Sequence, residues 1–187
     1  MNPSGRLTLV LLAGFAVAVA IRVAIGGPGV AQSAPAGIVF AACLVALGLA
    51  GRTPLRFTSR AVVAGVAGGA FLCLPAVIAR SFIGGQPVSA TGFWSWAVVV
   101  AIVAAAEEYF LRGTLYDAAN QWHGETAAIA LGAAAFAALH VPLYGWHVVP
   151  LDLAVGLWLG ACRAVGRSSS APAIAHVVAD LAAWWLR

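Results

Sequence analysis

The chain alternates between long apolar segments and short breaks that contain glycine, proline or charged residues. A helix rises about 1.5 Å per residue, so about 20 apolar residues cross a hydrocarbon core that is about 30 Å thick. Seven segments approach this length, and the slightly short ones are compatible with local thinning of the bilayer. They lie at residues 7–26, 35–51, 61–79, 93–119, 125–142, 150–165 and 170–186. The pattern predicts an all-α, polytopic integral membrane bundle of about seven transmembrane helices.

The breaks have the composition of turns. They are predicted at residues 26–29, 51–54, 84–87, 123–124, 142–150 and 166–170. Because these loops are short and no internal repeat is visible, we expect residues 1–187 to form a single membrane-embedded domain. Any chemistry must then lie within the bundle.

The composition excludes a water-soluble globule. Hydrophobic residues make up 63% of the chain and charged residues 9%, against about 45–50% and about 25% in soluble domains. The ten basic residues are all arginines, and they lie mainly between apolar segments rather than along one stripe, so no nucleic-acid partner is expected. The three cysteines, Cys43, Cys73 and Cys162, lie within apolar segments and form no CxxC pair, so no disulfide is expected. The expected surroundings are membrane lipid.

The arginines also predict an orientation. Seven lie near one set of segment ends and two near the other, so the positive-inside rule predicts a multi-pass protein of the cell membrane with a cytoplasmic amino terminus. The first set is Arg6, Arg52, Arg56, Arg60, Arg112, Arg163 and Arg167, and the second is Arg80 and Arg187. Arg22 is expected to snorkel from the first segment to the interface. The position of Arg112 favours access to a site from the cytoplasmic side.

Two pairs of glycines have the spacing that lets helices approach closely. They are Gly65/Gly69 and Gly156/Gly160. In a chain with 21 glycines such pairs arise easily, so we interpret them as ordinary helix packing rather than as a dimer motif. The sequence does not indicate an oligomeric state.

Ionisable residues inside a span cost about 2.5–3.5 kcal/mol each on insertion scales, so they are expected to be paired or functional. The candidates are Glu107, Glu108, Arg112, His140, His176 and Asp180. Carboxylates near predicted helix ends, such as Glu125 and Asp152, are explained by the helix dipole and receive no function. Asp117, near a helix end, and the histidines His123 and His147, placed in loops, receive none either.

Spacing within the helices suggests how the candidates pair. Glu108 and Arg112 are four residues apart and share a helical face, which predicts a structural ion pair. Glu107 is rotated by about 100° from Glu108 and needs another partner. His176 and Asp180 are also four apart, so Asp180 can hold one imidazole nitrogen while the other faces a cavity.

The depths of these residues can be estimated from the helical rise. Glu107 lies about 20 Å from the inner end of its helix, and His140 lies about 22 Å from the start of the next one. These two side chains are therefore expected at one level. His176 lies only about 9 Å into the last segment, so it is expected to be shallower unless that helix starts deeper.

A carboxylate and an imidazole that face one polar cavity can bind and deprotonate a water molecule, and a second imidazole can donate to an oxyanion. Together these groups are the minimum for hydrolysis of an amide. The sequence therefore favours a hydrolytic site.

Three motifs carry a family resemblance. Glu107-Glu108-x-x-x-Arg112, Phe136-x-x-x-His140 and His176-x-x-x-Asp180, in this order on successive helices, resemble the motifs of the CPBP family, which comprises CAAX proteases and bacteriocin-processing enzymes related to the Rce1-type prenyl-protein endopeptidase. The resemblance spans roughly 80 of the 187 residues. It implies an intramembrane endopeptidase with a catalytic core at approximately 93–186 and a membrane-embedded or lipid-anchored peptide substrate, such as a prenylated CAAX-type protein.

The resemblance also implies roles for the motif residues. Glu107 and His140 would activate the water, and His176 with Asp180 would form the oxyanion hole. Glu108 and Arg112 would support the site. The last motif residue is often Asn in the family and is Asp180 here, and it would either orient His176 or contact substrate.

Other functions use the same residues. Glu107, His140 and His176 can be the three protein ligands of a catalytic zinc, although no HExxH helix is present and metal-independent hydrolysis without a cofactor is favoured. Two histidines can ligate haem, which leaves both glutamates without a role. A proton-coupled transporter usually shows repeat symmetry, which is not seen here. A non-catalytic membrane partner or bacteriocin self-immunity protein remains the main alternative.

Overall fold

The computed structural model describes residues 2–51, 54–83 and 88–186. This part of the chain forms seven long helices and contains no strand, which confirms the predicted all-α bundle. The helices are α1 (Pro3–Gly26), α2 (Ala34–Ala50), α3 (Ser59–Ile83), α4 (Phe93–His123), α5 (Glu125–Tyr144), α6 (Val149–Gly166) and α7 (Ser170–Leu186). Arg52, Arg187, the predicted turn at 84–87 and part of the turn at 51–54 lie outside the described residues.

Five of the helices are long and apolar enough to cross a membrane. They are α1, α3, α4, α5 and α6, the last together with the short 3₁₀ turn Trp146–Val148 that precedes it. Helices α2 and α7 are equally apolar but have only 17 residues each. The protein is therefore a polytopic membrane bundle, and a full crossing by α2 and α7 stays a prediction.

Local chemistry explains where several helices begin and end. The side chain of Asn2 accepts a hydrogen bond from the amide of Gly5 at 2.8 Å, and that of Ser33 accepts one from Ala36 at 3.4 Å, so α1 and α2 start at capped residues. Gly124, with φ of 84°, is the single residue between α4 and α5. Such a positive φ favours glycine and ends α4 at His123, which therefore lies in a helix and not in a loop.

Consecutive helices alternate in direction because the connections between them are short. The amino-terminal end of the bundle is the end where α1 begins, and there Gly5 lies against Trp122 of α4. At the opposite end the amide of Gly29, after α1, donates to the carbonyl of Pro142 near the end of α5 at 3.0 Å. These contacts show which loops lie at the same end of the bundle.

Helix α4 contains a segment that the sequence analysis did not predict. Residues Tyr109–Leu115 are π-helical, between α-helical segments at Phe93–Glu108 and Tyr116–His123, and all seven are buried. A π turn holds more residues than an α turn and is often found at functional sites. Here it begins directly after Glu107 and Glu108, so the rest of α4 is rotated relative to an uninterrupted α-helix.

The glycine pairs lie where helices of the same chain pack closely. A methyl group on Gly65 of α3 would lie 2.7 Å from the carbonyl oxygen of Ala171 in α7. One on Gly156 of α6 would lie 2.7 Å from the Cα atom of Ala133 in α5. The interpretation of these pairs as ordinary helix packing is confirmed.

Helix α7 starts inside the protein. The preceding serines and its first residue, Ser168–Ser170, are all buried. The hydroxyl groups of Ser168 and Ser170 donate to the carbonyl oxygen of Arg56 at 2.8 and 2.6 Å. These bonds satisfy two of the three hydroxyl groups away from water, whereas, among the described residues, that of Ser169 is buried without a hydrogen-bond partner. The loop can therefore be buried, and α7 begins below the surface.

The close packing of α3 on α7 generates a stability prediction. Gly65→Ala should destabilise the fold by about 1–3 kcal/mol, because the new methyl group meets backbone that cannot move cheaply. The measurement is the midpoint of heat-induced unfolding in detergent. The matched control is Gly132→Ala in α5, where the nearest atoms would lie 3.8 and 3.9 Å away. Equal midpoints for the two variants would contradict the packing described.

Candidate active site

A cavity of about 350 Å³ lies within the bundle. It is called the central cavity below. The apolar part of its wall comes mainly from α2 and α4. Its polar lining is Arg22, Gln32, Ser33, Ser95, Glu107, His140, Tyr144, His176 and Asp180. The structure thus brings together on one cavity the four residues that the sequence analysis singled out for chemistry, from α4, α5 and α7.

Glu108 and Arg112 form a short buried ion pair beneath the cavity. The distance between Arg112 Nη1 and Glu108 Oε1 is 2.6 Å, and Nη2 of Arg112 donates to the carbonyl oxygen of Gly156 at 3.0 Å. The predicted pair is confirmed. Arg112 is only 1% exposed, so the prediction that it lies at the membrane interface is wrong. The cause is Glu108, which gives the guanidinium a partner inside the protein.

His176 is held by Glu108 as well. Its Nδ1 atom lies 3.1 Å from Oε1 of Glu108, whereas its Nε2 atom lies 3.6 Å from Oδ2 of Asp180. The expectation that the nitrogen not facing Asp180 points into the cavity is wrong, because that nitrogen bonds to Glu108. Nε2 is instead the nitrogen on the side of Asp180, which lines the cavity.

The offset in depth is absent, because the last helix starts deeper, which is the exception that the sequence left open. His176 contacts Glu108, the residue next to Glu107, so it lies at the level of both glutamates. The reason is the buried start of α7 at Ser168–Ser170, which lowers the whole helix into the bundle. A count of residues from the end of the apolar segment cannot reveal such a buried start.

Arg22 of α1 is the partner that Glu107 needed. Its Nη1 atom lies 3.4 Å from Oε1 of Glu107, and its guanidinium carbon lies 4.9 Å from the ring centroid of Phe40. Arg22 is 9% exposed, so the expectation that it snorkels to the interface is wrong. A buried carboxylate is stabilised by a nearby cation, which favours an inward-pointing arginine.

His140 also has a partner that the sequence analysis missed. Its Nδ1 atom lies 2.9 Å from the carbonyl oxygen of Phe136 and 3.6 Å from Oδ2 of Asp152 in the first turn of α6. Among the described residues, Asp152 Oδ2 is buried without a hydrogen-bond partner. The only sequence signal was a carboxylate at a helix start, and the helix dipole already explained that position.

Arg163 of α6 and Asp117 of α4 form another ion pair near the site. Arg163 Nη2 lies 2.9 Å from Asp117 Oδ1, and Arg163 Nε donates to the carbonyl oxygen of Arg112 at 2.8 Å. This pair joins α6 to the π-helical segment. His147 lies in the 3₁₀ turn before α6.

No set of three or more His, Cys, Asp or Glu side chains in the described part of the chain is arranged to hold a metal ion. The three cysteines are free thiols.

Comparison with known proteins supports the family resemblance of the three motifs. No curated protein and no solved structure gives a significant match to the chain. The family model described as "Type II CAAX prenyl endopeptidase Rce1-like" matches residues 89–182, which is half of the chain. The matched part contains the three motifs and Asp152, whereas Arg22 lies outside it. The chain therefore belongs to the Rce1-like family of type II CAAX prenyl endopeptidases, a family of membrane proteases.

Proposed function

We propose that this protein is an intramembrane endopeptidase that cleaves a membrane-embedded or lipid-anchored peptide, with a prenylated CAAX-type chain as one candidate. The observation that carries the proposal is the central cavity, where Glu107, His140, His176 and Asp180 meet inside an apolar bundle. A folded soluble protein reaches such a site poorly, whereas a segment already in the membrane can enter it.

Glu107 and His140 are the proposed activators of water. Arg22 approaches one oxygen of Glu107, which favours a charged carboxylate with its second oxygen available to water. In neutral His140, the contact of Nδ1 with the carbonyl of Phe136 places the proton on Nδ1, so Nε2 is left as an acceptor. A water between these groups can lose a proton to one of them while its oxygen attacks the substrate carbonyl.

His176 is the proposed stabiliser of the tetrahedral oxyanion. A protonated imidazole donates from both nitrogens, so Nδ1 can donate to Glu108 while Nε2 donates to the oxyanion on the cavity side. Asp180 lies near Nε2 and assists by orienting the ring, since its own negative charge does not stabilise an oxyanion. The C–N bond then breaks, and the proton taken from water passes to the leaving amine.

Replacement of the proposed base should abolish cleavage. Glu107→Gln keeps the shape of the side chain but cannot accept a proton, so we expect a loss of at least about 100-fold in rate. The measurement is a quantitative map of new peptide termini in membranes of cells that carry either protein at matched expression. Glu125→Gln, at an exposed position at the start of α5, is the matched control.

The same map tests the main alternative. Termini that depend on Glu107 and persist in the Glu125→Gln control would support a peptidase and identify its substrates. If both variants fold and the map does not change, the peptidase proposal is contradicted in favour of a non-catalytic membrane partner or immunity protein.

Asp152 is proposed as a positioning residue for His140. Its carboxylate stabilises the protonated imidazole that forms when His140 takes a proton, and hydrogen bonds in resting sites often tighten during reaction. Asp152→Asn should therefore lower kcat by about 10- to 150-fold, the equivalent of about 1.5–3 kcal/mol for a hydrogen bond to a charged group. KM should change little. A loss confined to KM, or no loss, would contradict this role.

We also propose that hydrolysis needs no metal ion. The described residues contain no set of three or more His, Cys, Asp or Glu side chains with the arrangement of a metal site, which supports roles in proton transfer and hydrogen bonding rather than as zinc ligands. Cleavage by the purified protein should survive prolonged treatment with a zinc chelator, and elemental analysis should find far less than one zinc per chain. Loss of activity that zinc restores would contradict the proposal.

A further inference from the structure

Among the described residues, those that line the central cavity reach only one end of the bundle, and this end is called the mouth below. Its outer lining comes from Ala31–Ser33, in the loop between α1 and α2, and from Ser95 and Trp96 in the first turn of α4. Both segments lie at the end where α1 terminates. This mouth is therefore opposite the amino-terminal end of the bundle.

On α4, α5 and α7, the residues that line the cavity extend from the reactive residue toward the mouth. In α4 it runs from Ser95 inward to Glu107, about 18 Å along the helix, and in α5 and α7 it runs outward from His140 and His176 to Tyr144 and Asp180. Among the described residues, none that lines the cavity lies beyond these three reactive residues toward the amino-terminal end.

The cavity is closed below the reactive residues. Directly beyond Glu107, the floor contains Glu108, Phe110 and Arg112, which are 0%, 0% and 1% exposed. The Glu108–Arg112 pair and the π-helical segment thus separate the reactive groups from the amino-terminal end. A substrate that reaches Glu107 must come through the opposite mouth or from the membrane beside it.

Arginines mark the closed end of the bundle. Those that the structure describes at or near that end are Arg6, Arg56, Arg60, Arg163 and Arg167. Near the end with the mouth, Arg80 lies in the last turn of α3 and Arg22 is buried on the cavity. The positive-inside rule assigns the arginine-rich end to the cytoplasm, even without Arg112 in the count.

We infer that the central cavity opens toward the extracytoplasmic face of the membrane, and that the substrate presents its scissile bond on that face. The substrate class is a membrane-spanning or membrane-anchored chain with its cleavable segment at the outer half of the bilayer, so a prenylated CAAX-type chain qualifies only where its cleavable segment reaches that face. The substrate part of this inference rests on the proposed peptidase function. The inferred orientation replaces the expectation of cytoplasmic access, which depended on a position of Arg112 at the interface.

The residues at the mouth also limit which side chains the cleavable segment can carry. Gln32, Ser33 and Ser95 are polar but uncharged, and the wall beyond them contains Val99, Val100 and other apolar residues. The other charged side chains on the cavity are Arg22, which pairs with Glu107, and Asp180, which lies about one turn outward from His176. A segment with apolar or small polar side chains fits this path better than a charged one, because a charge loses its hydration against the apolar wall.

The orientation can be tested without any substrate. Ser95→Cys places a thiol at the mouth, and Thr126→Cys places one at an exposed position near the start of α5, at the amino-terminal end. Intact cells are treated with a membrane-impermeant maleimide, and the unmodified protein, whose cysteines lie within α2, α3 and α6, measures the background. We expect labelling of the Ser95 variant in intact cells and of the Thr126 variant only after permeabilisation. The reverse pattern would overturn the inference.

The substrate class is tested with two reporters for cleavage by the native protein. Each is a single-spanning peptide that carries a Glu107-dependent cleavage segment, and flanking arginines place that segment at the outer face in one reporter and at the inner face in the other. Cleavage of the outer-face reporter alone is expected, and cleavage of the inner-face reporter alone would overturn the inference. If neither is cut, the peptidase proposal and the substrate class both fail, while the labelling result still decides the orientation.

Discussion

The site depends on one carboxylate oxygen that two cationic groups can share. Oε1 of Glu108 lies 2.6 Å from Arg112 Nη1 and 3.1 Å from His176 Nδ1. Glu108 and Arg112 are almost inaccessible to solvent, so loss of either would leave the other as an uncompensated buried charge, which typically costs about 3–5 kcal/mol. This contact holds α7 against α4, and Arg112 extends it to α6 through Gly156. The level and orientation of His176 follow from it.

A second ion pair joins the family core to the first helix. Residues 89–182 match the family and contain the reactive side chains, but Arg22, the partner of Glu107, lies in α1. The loop between α1 and α2 also forms part of the cavity mouth. The first helices thus contribute a counterion and part of the access path, whereas the matched region provides the groups proposed for chemistry.

The sequence predicted the features that depend on composition and on the spacing of residues along one helix. The lengths of the apolar segments predicted seven helices, and the four-residue spacing predicted the Glu108–Arg112 pair. It could not predict the partner of Glu107, because Arg22 is 85 residues away along the chain. The π-helical segment and the buried start of α7 also depend on packing with other helices. Asp152 was missed for a similar reason, since only the fold brings it close to His140.

The central claim is that Glu107 and His140 act on the same water molecule. The most direct measurement compares kcat for Glu107→Gln, His140→Ala and the double variant on one substrate, since residues that act as a unit are strongly non-additive. The account predicts that the double variant is no more than about threefold slower than the slower single variant. Losses that multiply in the double variant would show that the two residues act independently and would contradict the account.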